Sequence, residues 1–438
     1  MFRTFKIAAA ITAAALLAGS AVAQSEPTGD LVVVHAGTLL DQPGKAPRKN
    51  ASVVIRGGKV EAIKDGFVDM PGARVVDLTD RFVLPGLIDS HVHLDSDRAG
   101  VEGLVMGVSE SVPAHAYEAQ MNAKKTLLAG FTTVRNLGNN DGTTLALRDA
   151  IAKGWVDGPR IIDAAAAIST SSGHMDQRLG LNDQFREAVS VTNVCDGPES
   201  CRQAVRLQVS KGADVIKIAT TGGVNSIIGA GVGKQMFDDE AQALISTAHL
   251  YGKKVAVHAH GADGIKLALA YGADSIEHGT IMDEDIIRLF LKNGAYYVPT
   301  LSTVNGYLER IAKDPNAYPP SVRAKIDWRI KITGESLLKC VPRGVKIAFG
   351  TDAGVSKHGR NAEEFELMVK FGMTPMAAIQ AATVNAADLL GLSTEIGTLE
   401  PGKRADLIAV EGDPLTDVTV LKSVEFVMRD GRIYWHED

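Results

Sequence analysis

In the stretch "LPGLIDSHVHLDS", Leu84 to Ser96, two histidines stand two residues apart at the end of an apolar run. On a β-strand successive side chains point to opposite faces, so His91 and His93 project the same way and can offer two imidazole nitrogens to one acceptor. The same kind of residue recurs downstream at the ends of short apolar runs: Lys217 in "VIKIATTGG", His258 and His260 in "VAVHAHG", His278 in "DSIEHGT" and Asp352 in "FGTDAG". Imidazole nitrogen and carboxylate oxygen suit Zn²⁺ at about 2.0 to 2.1 Å, and a catalytic site must keep one position open for water. This set can hold one or two divalent metal ions. Lys217 is the odd member, because an ammonium among apolar neighbours is costly unless it is paired or loses its proton. A neutral amine can react with CO₂ to give a carbamate, and its two oxygens can bridge two ions.

Two alternatives stay open at the level of residues. His258 and His260 share a strand face, so spacing does not decide which of them is a ligand. Lys217 can instead pair with an acid inside the core. His35, His115, His249 and His436 lie outside the strand ends, and "TTGGV" lacks the spacing of a phosphate-binding loop.

These residues need a scaffold that gathers distant strand ends. Between about Leu84 and Leu392, apolar strands alternate with stretches of helical periodicity that stop at glycine, the βα signature of a parallel sheet. Eight strands are predicted: "GLIDSHVH", "GFTTVRNLG", "RIIDAAAAIS", "DVIKIATTG", "KKVAVHAHG", "DSIEHGT", "AYYVPTLS" and "VKIAFGTDAG". Eight units in about 300 residues match an α/β (β/α)8 TIM barrel, whose active site lies at the C-terminal ends of its strands. A doubly wound open sheet is the alternative. Alternating runs near both chain ends, "LVVVHAGTLLD" and "ASVVIRGGKVEAIKDG" early, "ADLIAVEGDP" and "SVEFVMRDGRIYW" late, predict a composite β-sandwich from residues 24–85 and 393–438 around a barrel over 86–392.

The first residues read differently. "MFRTFK" is a basic start, "IAAAITAAALLAGS" a short apolar run and "AVAQ" a small-residue cleavage site, so residues 1–23 read as a signal peptide and the protein is expected to be exported, periplasmic in a Gram-negative host. No later run is apolar for long enough to cross a bilayer. A net charge of -6 with no block of Lys and Arg gives no footprint for nucleic acid or an anionic membrane surface. Of three cysteines, Cys195 and Cys201 flank a Gly-Pro turn where a disulfide is expected after export, and Cys340 reads as a buried free thiol.

The motifs "PGLIDSHVH", "VIKIATTGG", "VAVHAHG", "DSIEHGT" and "FGTDAG", with "GTLEPGKRADLIAVEGDPL" near the end, resemble the metal-dependent amidohydrolase superfamily over essentially the whole mature chain. "HAHG" and "TDAGVSKHGRNAEEFELMV" look most like the branch of imidazolonepropionase-like hydrolases, prolidase-type carboxypeptidases and ochratoxin-degrading amidases. The resemblance implies two ions, zinc by expectation: one on His91, His93 and Asp352, the other on His258 and His278, with carboxylated Lys217 between them. It implies hydrolysis of the amide to a C-terminal amino acid by metal-held hydroxide, on Xaa-Pro dipeptides, N-acyl amino acids or ochratoxin-like aryl amides. Asp352 would move the proton, and His260 and His174, the latter in "STSSGHMDQ", would hold the carbonyl oxygen or orient the substrate. His358 and Arg360 are expected to meet a substrate carboxylate. A homo-oligomer is expected from the same resemblance. A cyclic-amide hydrolase or lactonase is the second enzymatic reading, and a metal-free binding scaffold the third.

Overall fold

The computed structural model describes residues 31–98, 100–227 and 231–436, so the predicted signal peptide lies outside the described residues. Four strands lead: β1 (Leu31–Leu39), β2 (Arg48–Arg56), β3 (Lys59–Asp65) and β4 (Arg74–Pro85). Eight strands follow, separated by helices: β5 (Leu87–Val92), β6 (Phe131–Asn136), β7 (Arg160–Asp163), β8 (Ile216–Ala219), β9 (Val255–Ala259), β10 (Ser275–His278), β11 (Tyr296–Val298) and β12 (Lys346–Ile347). The chain ends with β13 (Leu407–Val410), β14 (Val424–Arg429) and β15 (Arg432–His436).

The first four and last three strands hydrogen-bond in the order β15-β14-β13-β4-β1-β2-β3. Alternation along these strands turns Val34, Val53, Val76, Leu407 and Phe426 into one core, so the small β-sandwich domain owes its interior to both ends of the chain. Arg160, at the start of β7, donates to Asp406 at 2.7 Å and Asp430 at 2.8 Å and ties this domain to the barrel.

Strands β5, β6 and β7 pair in parallel, as do β8 through β12. Two seams close the barrel. At one, the chain breaks after β7 through Ala165, which takes a left-handed φ of 54°, and resumes pairing with β8 at Ile168. At the other, β5 meets β12 through Ser90 N to Phe349 O at 2.8 Å and a bridge from Val92 to Ala353. Around the strands the helices bury Leu127, Val205, Leu244, Ile265, Phe290 and Phe365 against them. The predicted fold class is the one observed. No helix among the described residues is long and apolar enough to cross a membrane.

The second seam is fastened by Asp89, a buried carboxylate on β5. It accepts from the backbone N–H groups of His91 and Thr351, both at 3.1 Å, from Thr351 Oγ1 at 2.6 Å and from Asn361 Nδ2 at 2.8 Å. Burial pushes its pKa up to about 6, while these donors pull the other way. Removing the carboxylate would orphan four donors at the place where the first and last strands join. Asp89→Ala is therefore expected to lower stability by at least about 3 kcal/mol in denaturant unfolding. A loss below about 1 kcal/mol would show that the seam closes without it.

Candidate metal centre

The residues singled out at strand ends converge at one mouth of the barrel. His91 ends β5 and His93 follows it, both beside Asp352, whose Oδ1 lies 3.4 Å from His91 Nε2 and 3.4 Å from His93 Nε2. Across the mouth, the ligand atoms of His258, His260 and His278 lie within 4.8 Å of one another, as do those of His91, His93 and Asp352. The two triads touch, with the rings of His91 and His278 centred 5.1 Å apart. His260 thus stands as close to His258 and His278 as a ligand would, although the expected ligand set left it out.

Three of the imidazoles are aimed by a bond on the far nitrogen, whereas His258 turns its Nε2 toward Gly222 O at 3.4 Å. His91 Nδ1 donates to Glu277 Oε2 at 2.9 Å, His278 Nδ1 bonds Thr300 Oγ1 at 2.7 Å and His260 Nδ1 bonds Thr280 Oγ1 at 2.7 Å, so each ring's Nε2 is left for a ligand. Glu277 is held in turn by Arg135 Nη2 at 2.8 Å and by Ser275 Oγ. Backbone conformation completes the aim. His278, Thr300 and Asp352 take left-handed φ values of 69°, 48° and 56°, and such conformations in residues other than glycine gather at functional sites.

Lys217, on β8, is buried with its Nζ bonded to nothing among the described residues. Burial brings its pKa down to about 8, with Glu277 and Asp352 opposing the fall. The alternative of a direct ion pair is therefore not what the structure contains. Burial, and then the nearby Lys217, hold His91 down to about 4, and burial holds His258, His260 and His278 well below the usual imidazole range. Burial alone would raise the Asp352 carboxyl, but His91, His93 and Lys217 hold it below the ordinary carboxylate range. His93 is the exception: burial works against its charge, but the bond and charge of Asp352 raise it above the usual imidazole range. Near neutral pH the mouth thus presents four neutral imidazoles on His91, His258, His260 and His278, an ionised carboxylate and an amine held below its ordinary range.

A chamber of about 120 Å³ is lined by these groups and by His174, Asn225, Tyr307, Arg329 and Val355. It opens into an outer cavity of about 740 Å³, and His93, His174, Asn225 and Val355 border both. His174 therefore stands at the throat. Its Nδ1 bonds Ser226 Oγ, which also accepts from Gly223 N at 3.3 Å, so Nδ1 is engaged inside the protein and Nε2 is the ring's other nitrogen. The ring rests on Gly223, where a Cβ would lie 2.1 Å from it.

Two expectations need correcting. Both nitrogens of His358 are spent inside the protein, Nε2 donating to His93 O at 2.9 Å and Nδ1 bonding Thr126 Oγ1 at 3.1 Å; it steadies the loop carrying His93 and is buried away from the chamber. Arg360 is half exposed and bonded to Glu363 and Glu309 at 2.7 and 2.6 Å, an outer ion-pair cluster that has no face on either cavity. Glu277, Arg135 and Arg329 are the buried groups that sequence reasoning passed over. Cys195 and Cys201 form the expected disulfide, and Cys340 is free and buried.

Glu277→Gln replaces the acceptor that aligns His91 while leaving the ring in place. A loss of about 10- to 100-fold in affinity for Zn²⁺ is expected in chelator-competition titrations, and unchanged affinity would deny Glu277 that part. The histidines also fix a pH dependence. Imidazoles with folded pKa values below their unfolded values make the unfolded state take up protons first, so stability falls as pH drops below the unfolded value of about 6.5. Asp89 and Glu364, raised by burial to about 6 and about 7, and His93, raised by Asp352 although burial works against it, offset part of this. The Tm of chelator-treated protein is expected to drop between pH 7.5 and 5.5, and a flat profile would contradict the neutral cluster.

The geometry can be set beside known proteins. The sequence pattern of the Amidohydrolase family matches residues 82–434. Ochratoxinase of Aspergillus niger is 30% identical over 449 residues, spanning 95% of this chain and 91% of that protein. A solved Xaa-Pro dipeptidase with methionine bound in its active site is 41% identical, with a TM-score of 0.87 over 93% of this chain and 100% of that one. A prolidase complexed with N-methylphosphonate-L-proline is 30% identical, with a TM-score of 0.84 over 93% of this chain and 100% of that one. Because these matches run through the sandwich and the whole barrel, both triads included, the chain belongs to the metal-dependent amidohydrolase family.

Proposed function

We propose that this protein is a binuclear amidohydrolase that releases the C-terminal amino acid from dipeptides or N-acyl amino acids, with Xaa-Pro dipeptides and ochratoxin-like aryl amides as the first classes to try. The observation that carries the binuclear reading is Lys217: a buried Nζ without a hydrogen-bond partner among the described residues, at one barrel mouth with two three-residue groups able to hold an ion. Carboxylation would turn this unsatisfied amine into an anion able to join two cations. Nitrogen-rich ligand sets with one carboxylate favour zinc. The similarity to ochratoxinase, to a Xaa-Pro dipeptidase and to a prolidase supports the substrate class.

His91, His93 and Asp352 would hold one ion and His258 and His278 the other, with Lys217 shared and His260 within reach. Two such ions supply a water acidified to near neutrality and Lewis-acid polarisation of a carbonyl. Asp352 is ionised and in contact with two histidines, so it can take a proton from the attacking water and pass it to the nitrogen of the departing amino acid. His174, neutral because burial brings it to about 3, would act from the throat on the substrate's carbonyl oxygen through Nε2–H, in the tautomer where Ser226 donates to its Nδ1. His260, aligned by Thr280, faces the same space. The disulfide supports the reading of residues 1–23 as an export signal, since such bonds persist in oxidising compartments.

The test is release of free amino acid, read by mass spectrometry, from pooled Xaa-Pro dipeptides, N-acyl amino acids and ochratoxin A, with Asp352→Asn run beside the parent. Release by the parent and a loss of roughly 10³-fold or more in the variant are expected. No release from a sample carrying two zinc ions would reject the amino-acid-releasing reading and turn attention to cyclic amides and lactones. Lys217→Ala is expected to lose one ion per chain and, if a carbamate is what it lacks, to recover activity when acetate or propionate is added. Full metal content in that variant would refute the bridging role.

A further inference from the structure

The chamber contains a cation that nothing in the mechanism above uses. Arg329 lies on the helix Pro320–Lys331, which packs over the barrel mouth, and is 3% exposed. Its one side-chain hydrogen bond among the described residues runs from Nη1 to Thr333 Oγ1, a turn further along the chain, at 3.0 Å. A guanidinium has five N–H donors and does not lose its charge in proteins, so a buried one calls for an anion. Arg135, buried to 2%, shows the usual solution, with Glu277 at 2.8 Å and further bonds to Ser90 O and Ser275 Oγ. Arg329 has no carboxylate in ion-pair contact among the described residues.

The acids near it are already committed. Glu364 accepts from Leu301 N at 2.9 Å and Ser302 N at 2.6 Å, and Asp352 faces His91 and His93. Lys325, one turn before Arg329, donates to Gly223 O at 2.8 Å and to Ser226 O, which fastens the helix to the loop beneath His174. Arg329 is thus held rigidly in the wall of the chamber, beside His260 and Tyr307.

We propose that Arg329 is the anchor for the α-carboxylate of the C-terminal amino acid, so that the guanidinium at the inner wall makes this an exo-acting enzyme. The assignment rests on the function proposed above and supplies the carboxylate-binding group that His358 and Arg360 do not. It also orients the substrate. With the carboxylate at Arg329 and the scissile carbonyl near Asp352 and His174, the acyl group runs through the throat into the 740 Å³ outer cavity. A planar fork is suited to a carboxylate by two parallel bonds, and a C-terminal carboxamide, which brings no charge and one acceptor, would bind much less well.

Binding is measured apart from turnover, by calorimetry and thermal shift on the zinc-loaded protein, with each of the common L-amino acids and its carboxamide. At least one amino acid is expected to bind about 10- to 100-fold tighter than its amide, and Arg329→Gln is expected to erase that preference with zinc content unchanged. Arg329→Lys, which keeps the charge and loses the fork, should retain part of it and serves if the glutamine variant does not fold. In turnover, the same preference for acid over amide substrates should appear as a rise in KM on substitution. Equal binding of acids and amides by the parent, or a preference that survives both substitutions, overturns the assignment. Failure of the hydrolysis panel with the acid preference intact would instead overturn the proposed reaction and keep Arg329 as a carboxylate site.

Discussion

A carboxylate buried inside a barrel must be given partners, and the way Glu277 receives them organises much of this structure. Arg135 and Ser275 take one of its oxygens and His91 the other. Although burial works against ionisation, Arg135 and His91 hold its pKa down to about 2, so it stays an anion at every pH where the protein would act. Its charge fixes the tautomer of His91. Its hydrogen bonds join β5, β6 and β10, so the same group that aligns a candidate metal ligand also fastens three strands. Loss of one member of such a network leaves the others buried and unpaired, which costs more than the network contributes when complete.

The second constraint is geometric. A straight strand sends alternate side chains to opposite faces, yet Glu277 and His278, adjacent in β10, both meet His91. The left-handed φ of 69° at His278 breaks the alternation and turns the second side chain inward beside the first. Thr300 and Asp352 use the same device at the ends of their runs, and the neighbouring chain leaves little slack. Gly354, at φ 118°, sits where a Cβ would lie 3.0 Å from His93 Cβ. Conformations of this kind each cost on the order of 1–3 kcal/mol and persist because the closed barrel determines them. The result is a set of candidate ligand atoms already gathered within 4.8 Å of one another in each triad.

Much of this was legible in the chain, for identifiable reasons. His91, His93, Lys217, His258, His278 and Asp352 stand out because charged or ligating residues at the ends of apolar runs are expensive without a shared purpose, and the five runs that carry them belong to a set of eight with barrel spacing. What stayed hidden depends on contacts remote in sequence. Glu277 was obscured by strict alternation, which would have pointed it away from His278. Arg329 lies in "KIDWRIK", where no polar stripe or strand end marks it, and its meaning appears only when its helix is laid over the mouth. Arg360 and His358, by contrast, were judged by nearness in sequence to Asp352. The loop that separates them gives one to an exposed ion-pair cluster and the other to a backbone carbonyl.

The seam between β5 and β12 joins residues at opposite ends of the barrel sequence; Asp89 and Thr351 are 262 positions apart. The same seam completes the His91, His93 and Asp352 triad. A chain still being made, or partly unfolded, therefore lacks Asp352 beside His91 and His93 and has no closed wall around them. Contacts of such long range form late and slowly. Site assembly is in this sense a readout of completed folding: the group of His91, His93 and Asp352 exists only once the last barrel strand has met the first.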